Sequence, residues 1–146
     1  MNLIGKGLLA GLAATIVRSA LLVAKDMMGV MPELNIAKTT AGMMGSPDQP
    51  IIGWIVPFMI SIVGYGAAIT LLDERLPGKS HVWHGVMIGT LGWLVMMFML
   101  MPMAGAGLFA MKMGLMAPMM TLVLHLIFGV VLGWVYGRQI RRAEDR

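Results

Sequence analysis

Methionine is the most over-represented residue with donor chemistry: the chain has 18, ten of them between Met96 and Met120. A soft thioether suits Cu(I). Met97, Met99, Met101 and Met103 alternate, so on a helix Met97 and Met101 share one face and Met99 and Met103 another. Against copper, methionine is also an unbranched apolar gap-filler, and no histidine or carboxylate joins the run. No metal site and no cofactor are therefore assigned. Three polar residues within apolar stretches form a second group: Arg18, Ser61 and His125. At 1.5 Å per helical residue they lie about 10, 15 and 13 Å from the same end of their helices. If they face one another they make one polar layer, in which a neutral imidazole accepts from Arg18, binds a ligand or relays a proton. The bland readings are that Arg18 reaches toward headgroups or pairs with Asp26 or Asp48, and that His125 hydrogen-bonds within the bundle.

Catalytic signatures are missing. There is no paired carboxylate inside an apolar stretch, no Ser/His/Asp set, no glycine-rich phosphate loop and no HExxH. Zero cysteines exclude disulfides, thiolate metal sites and cysteine nucleophiles. His81 and His84 lie in the other half of their helix, too far from His125 to form a bis-histidine pair. Asp73 and Glu74 stand beside Arg75, where solvated ion pairing suffices. No enzyme is expected.

The elements that must position these residues are membrane spans. Of 146 residues 58% are hydrophobic and 12% charged, about half the charge of a soluble domain, and the mean hydropathy is +0.82. The net charge of +4 does not point to nucleic acid, because Arg138, Arg141, Arg142 and Arg146 follow the last apolar run and read as a membrane anchor. A bilayer core takes about 20 apolar residues in a helix. Four stretches qualify: about 3–24, 51–72, 83–101 and 116–137. The predicted fold is a single all-α, polytopic domain over 1–146, with an apolar connection at 102–118. The first stretch is too long, and too poor in small residues at its end, for a cleaved signal peptide.

With four spans the termini and the middle loop share one side, carrying Lys6, Arg75, Lys79, Arg138, Arg141, Arg142 and Arg146, against Lys25, Lys38 and Lys112 on the other. The excess places both termini in the cytoplasm of a prokaryotic inner membrane. Trp54 on one side, and Trp83, Trp134 and Tyr136 on the other, read as interfacial belts. Gly7-xxx-Gly11 and Gly85-xxx-Gly89 open the first and third helices, each followed by a Met/Gly-rich outer segment, a pattern that suggests two parallel helical-hairpin repeats. Small residues four apart let helices approach closely in lipid. Gly7/Gly11, Gly64/Ala68, Gly85/Gly89 and Gly129/Gly133/Gly137 all fall in the halves near the termini, so the bundle is expected to be tight there and looser at the other end.

The segments Met101-Pro-Met-Ala-Gly-Ala-Gly-Leu-Phe109, Gly114-Leu-Met-Ala-Pro118 and Leu122-Val-Leu-His-Leu-Ile-Phe-Gly129 resemble a family of small, uncharacterised prokaryotic four-helix membrane proteins. The first helix with Met27-Met-Gly29 and Met31-Pro-Glu-Leu34 is similar too. The resemblance covers about half the chain and implies a four-helix membrane fold with no stated activity. The leading expectation is a structural or accessory subunit that packs in the bilayer against itself or a larger membrane complex. The alternative is binding or transport of copper or a small solute through an outward-facing polar or Met-rich pocket.

Overall fold

The computed structural model describes residues 2–32 and 35–146. It is helical, with no strand among the described residues. Helix α1 (Leu3–Met27) starts where the Asn2 side chain accepts from the Gly5 N–H at 2.7 Å, satisfying a donor that has no partner inside the helix. A short helix, α2 (Ile36–Met43), is capped in the same way by Asn35. Helix α3 (Pro50–Leu72) opens on a proline, whose missing N–H is not needed at a helix start. Ser80 caps α4 (His81–Met103), and α5 runs Met116–Glu144. Helices α1, α3, α4 and α5 are each long and apolar enough to cross a membrane, where the apolar runs predict spans. The short α2 is not anticipated.

Two helices contain wide turns with one extra residue: Ile60–Tyr65 in α3 and Met96–Leu100 in α4. The second ends just before Pro102, whose ring crowds the carbonyl of Phe98 four residues back. The first lies where α3 crosses α1, with Ser61 and Ile62 facing Gly11.

Helix α1 packs between α3 and α5, and α5 packs between α1 and α4. Each hairpin is closed by glycines at the start of its first helix. A Cβ on Gly7 would fall on the carbonyl of Gly66, and one on Gly85 on the carbonyl of Gly129. The termini lie together, since Gln139 Nε2 donates to the Lys6 carbonyl at 3.4 Å. The bundle is therefore tight at the end carrying the termini. At the opposite end the first half of α3 contacts chiefly α2, with Gly53 against the Ala37 carbonyl. A groove of about 620 Å³ opens there between α1 and α3, lined by Ser19, Ala20, Val23, Ala24, Met27, Trp54 and Phe58.

There are two cores. At the tight end Ala10, Ala14, Ile69, Ile88, Phe128, Leu132 and Tyr136 meet. Tyr136 is thus a core residue rather than part of an interfacial belt, whereas Trp83 and Trp134 are exposed. The second core joins Met97 and Met101 to Ala106, Ala110 and Ala117. Connection 102–118 folds back over the helix ends through a 3-10 turn, Leu108–Met113, in which Phe109 and Ala110 take left-handed angles (φ 55° and 54°). Such a conformation costs an L-residue about 1–2 kcal/mol; here it brings Ala110 fully under the methionines.

The alternation of methionines resolves into two jobs. Met97 and Met101 are buried, while Met99 and Met103 are exposed. Met97→Ala is expected to lower unfolding stability by about 2–4 kcal/mol, and Met99→Ala by less than about 0.5 kcal/mol. Thermal unfolding in detergent, followed by circular dichroism, checks this; equal losses would contradict the two faces.

Candidate functional site

Of the three mid-helix polar residues, Arg18 and His125 lie within electrostatic range of one another, and Ser61 makes no hydrogen bond to either. The Arg18 guanidinium lies over the Phe128 ring at 5.5 Å and within electrostatic range of Tyr65 and His125. Tyr65 was not signalled by the sequence. It reaches this point because its ring stands edge-on to Phe128, centroids 4.7 Å apart, and its hydroxyl occupies the space left by Gly92. His125 spends one nitrogen locally, with Nδ1 2.8 Å from the Thr121 carbonyl one turn back. Ser61 is buried, and its backbone faces α1 at Gly11, two turns from Arg18. No hydrogen bond joins Arg18, Ser61 and His125 among the described residues. Arg18 Nε, Ser19 Oγ and Ser61 Oγ are buried with no hydrogen-bond partner. Asp26, a carboxylate considered for Arg18, instead pairs with Lys25 at 2.7 Å.

Next to His125 the α4–α5 pair carries a second polar link. Trp93 Nε1 donates to the Pro118 carbonyl and to Thr121 Oγ1, both at 3.1 Å. Two helices are thereby tied at the level where α5 begins.

The packing glycines fall into place with one correction. Gly7, Gly11, Gly85, Gly89, Gly129, Gly133 and Gly137 all meet other parts of this same chain. Gly64 does not: it is exposed, with only Ile60 of its own helix within 4 Å of an added Cβ. Gly66 makes the close approach in its place, against Gly7 and Leu8, and Ala68 packs partly buried beside the core. The contacts of α3 with α1 fall on Ile62 and Gly66, four residues apart, a face that does not include Gly64.

The most organised polar constellation lies at the tight end, in the turn between α3 and α4. Asp73 is not a solvated partner of Arg75. It is 8% exposed, and its carboxylate faces two imidazoles. His81 Nδ1 is 2.9 Å from both carboxylate oxygens, and His84 Nδ1 is 2.7 Å from Oδ1. His84 Nε2 lies 3.2 Å from the Gly78 carbonyl. The histidines occupy the first and fourth positions of α4, hence one face of it. The His81 ring is further held against Tyr136, centroids 5.9 Å apart, and against Gly137. The only sequence signal for this cluster was His-x-x-His eight residues after an aspartate at a helix end.

Glycine-closed hairpins and a small polar turn thus join four helices long and apolar enough to cross a membrane in an all-helical protein. A match to the family of unknown function DUF6789 spans residues 1–146, and the chain belongs to that family. No curated protein and no solved structure matches.

Proposed function

We propose that this chain is an integral protein of a prokaryotic inner membrane, with cytoplasmic termini, acting as a structural or accessory subunit of a homo-oligomer or a larger membrane complex. The observation that carries the reading is the groove between the outer halves of α1 and α3. Its α1 wall is built of Ser19, Ala20 and Ala24 with Val23 and Met27, and its α3 wall of Trp54 and Phe58. Small residues facing aromatic ones leave room for a further helix, and close backbone approach is how helices associate in lipid. Ser19 Oγ, without a hydrogen-bond partner, belongs to the same wall. The glycine faces do not offer this surface, because they are used inside the chain. An outward pocket for copper or a small solute has less support: the groove is apolar, and Met27 is the one methionine in its lining.

Because the chain contains no cysteine, a single introduced thiol reports one position. A thiol-linked photo-crosslinker on Ala24→Cys, activated in native membranes, is expected to give one discrete higher-mass adduct. The same reagent on Leu91→Cys, an exposed position of α4, is expected to give none. Equal or absent adducts at both positions would overturn the reading.

A further inference from the structure

We infer that Asp73, His81 and His84 form a site for one divalent transition-metal ion of the zinc class, clamping the end of α3 to the start of α4. Each residue offers one ligand atom, and the three atoms all lie within 4.8 Å of one another. Asp73 and His84 are both more than nine-tenths buried, so the donors are fixed by packing rather than free in solvent.

The hydrogen-bond logic at His84 calls for a cation. A carbonyl oxygen only accepts, so Nε2, facing Gly78, carries the ring's hydrogen. Nδ1 then turns its lone pair toward a carboxylate oxygen at 2.7 Å. Two acceptors face each other unless a proton or a metal ion lies between them. A metal-bound histidine usually donates its other N–H to a carboxylate or a backbone carbonyl, which fixes its tautomer; the Gly78 contact has that form. Two imidazoles and one carboxylate are a ligand set that suits Zn²⁺ or Fe²⁺ with a coordination position left open.

Room and access agree. Ligands about 2.1 Å from a tetrahedral ion stand about 3.4 Å apart, so loading widens the Asp73 contacts, 2.9 Å to His81 and 2.7 Å to His84, by roughly 0.5 and 0.7 Å. The His81 side chain, 26% exposed, can turn to allow this. It also borders a small cavity of about 80 Å³ with Lys79, Ser80 and Arg141, through which water reaches the open position. Holding Asp73 to both histidines would lock the α3–α4 turn and hence the pairing of the two hairpins.

The test uses the full chain, with any purification tag removed, in nanodiscs. Metal analysis after Zn²⁺ loading and washing is expected to give one zinc per chain, and Co²⁺ is expected to give the visible absorption of a four-coordinate complex. His84→Ala and Asp73→Asn are expected to weaken binding at least a hundredfold, and His125→Ala to leave it unchanged. His81→Gln alters a half-buried position and keeps the fold testable; it is expected to weaken binding at least tenfold and to abolish the rise in melting temperature that Zn²⁺ gives the unaltered chain. Absence of stoichiometric zinc in the unaltered chain, or zinc retained by His81→Gln with unchanged affinity, would overturn the site.

Discussion

Gly85→Leu is expected to cost at least about 3 kcal/mol and to leave little folded protein in detergent at moderate temperature. Gly85 lies at the α4–α5 crossing, the most extensive helix contact in the molecule. An added Cβ there falls on the Gly129 carbonyl and comes within 2.6 Å of the Gly133 nitrogen and 2.8 Å of its Cα. All three obstacles are backbone, so no side-chain rotation relieves them; the helices must separate. Replacing a mid-helix glycine gains up to about 1 kcal/mol of helix propensity, which the forced separation outweighs. Separation also pulls Gly89 off the His125 carbonyl and strains the Trp93–Thr121 link. Gly64→Leu supplies the contrast: its Cβ meets only the Ile60 side chain, at an ordinary contact distance of 3.9 Å, and a change of less than about 0.5 kcal/mol is expected. Unfolding in increasing SDS, followed by circular dichroism, reads both. A Gly85→Leu protein as stable as the parent would mean that α4 and α5 do not cross at these glycines.

Asp73→Ala carries the second large effect, an expected loss of about 3 kcal/mol. One carboxylate serves two imidazoles, so its removal leaves His84 Nδ1 buried without a partner and frees His81 from its anchor on the turn. Leaving a buried polar group unmade is the costly half of breaking such a pair. Arg75→Ala, two residues on and exposed, is expected to change stability by less than about 0.5 kcal/mol. The comparison separates a buried cluster from a solvated loop of mixed charge. Equal small effects from the two substitutions would place Asp73 in water.

Much of the helical frame was legible in the sequence because a membrane span is encoded by length and apolarity alone. Those are properties of the run and survive any arrangement of it. The glycine faces were legible for the same local reason, four-residue spacing, with Gly64 as the instructive failure. Four-residue spacing marks a face but not which face packs: α3 meets α1 through Ile62 and Gly66, on the other side of the helix from Gly64. The polar layer was legible only as depth: Arg18 and His125 come within electrostatic range of one another, but depth says nothing of rotation or of hydrogen bonding, and no hydrogen bond joins Arg18, Ser61 and His125 among the described residues. The Asp73, His81 and His84 cluster was barely legible, its one signal being His-x-x-His eight residues after an aspartate. Its chemistry depends on an eight-residue turn folding back so that a helix end meets the next helix start, and no periodicity records that. The splayed groove likewise follows from α3 leaning on α2, a helix too short to stand out in the apolar pattern.

The inward use of the glycines separates two roles that small residues play in lipid. Here they set the shape of one chain, closing each hairpin, while the proposed function assigns association to the groove lined by Ala20 and Ala24. Native mass spectrometry of the untagged chain released from nanodiscs tests that division most directly. A discrete higher-mass assembly is expected, a homo-oligomer or a complex with another membrane protein, that Ala24→Trp dissociates and Gly64→Leu does not. A stable monomer whose groove retains a small ligand would contradict it.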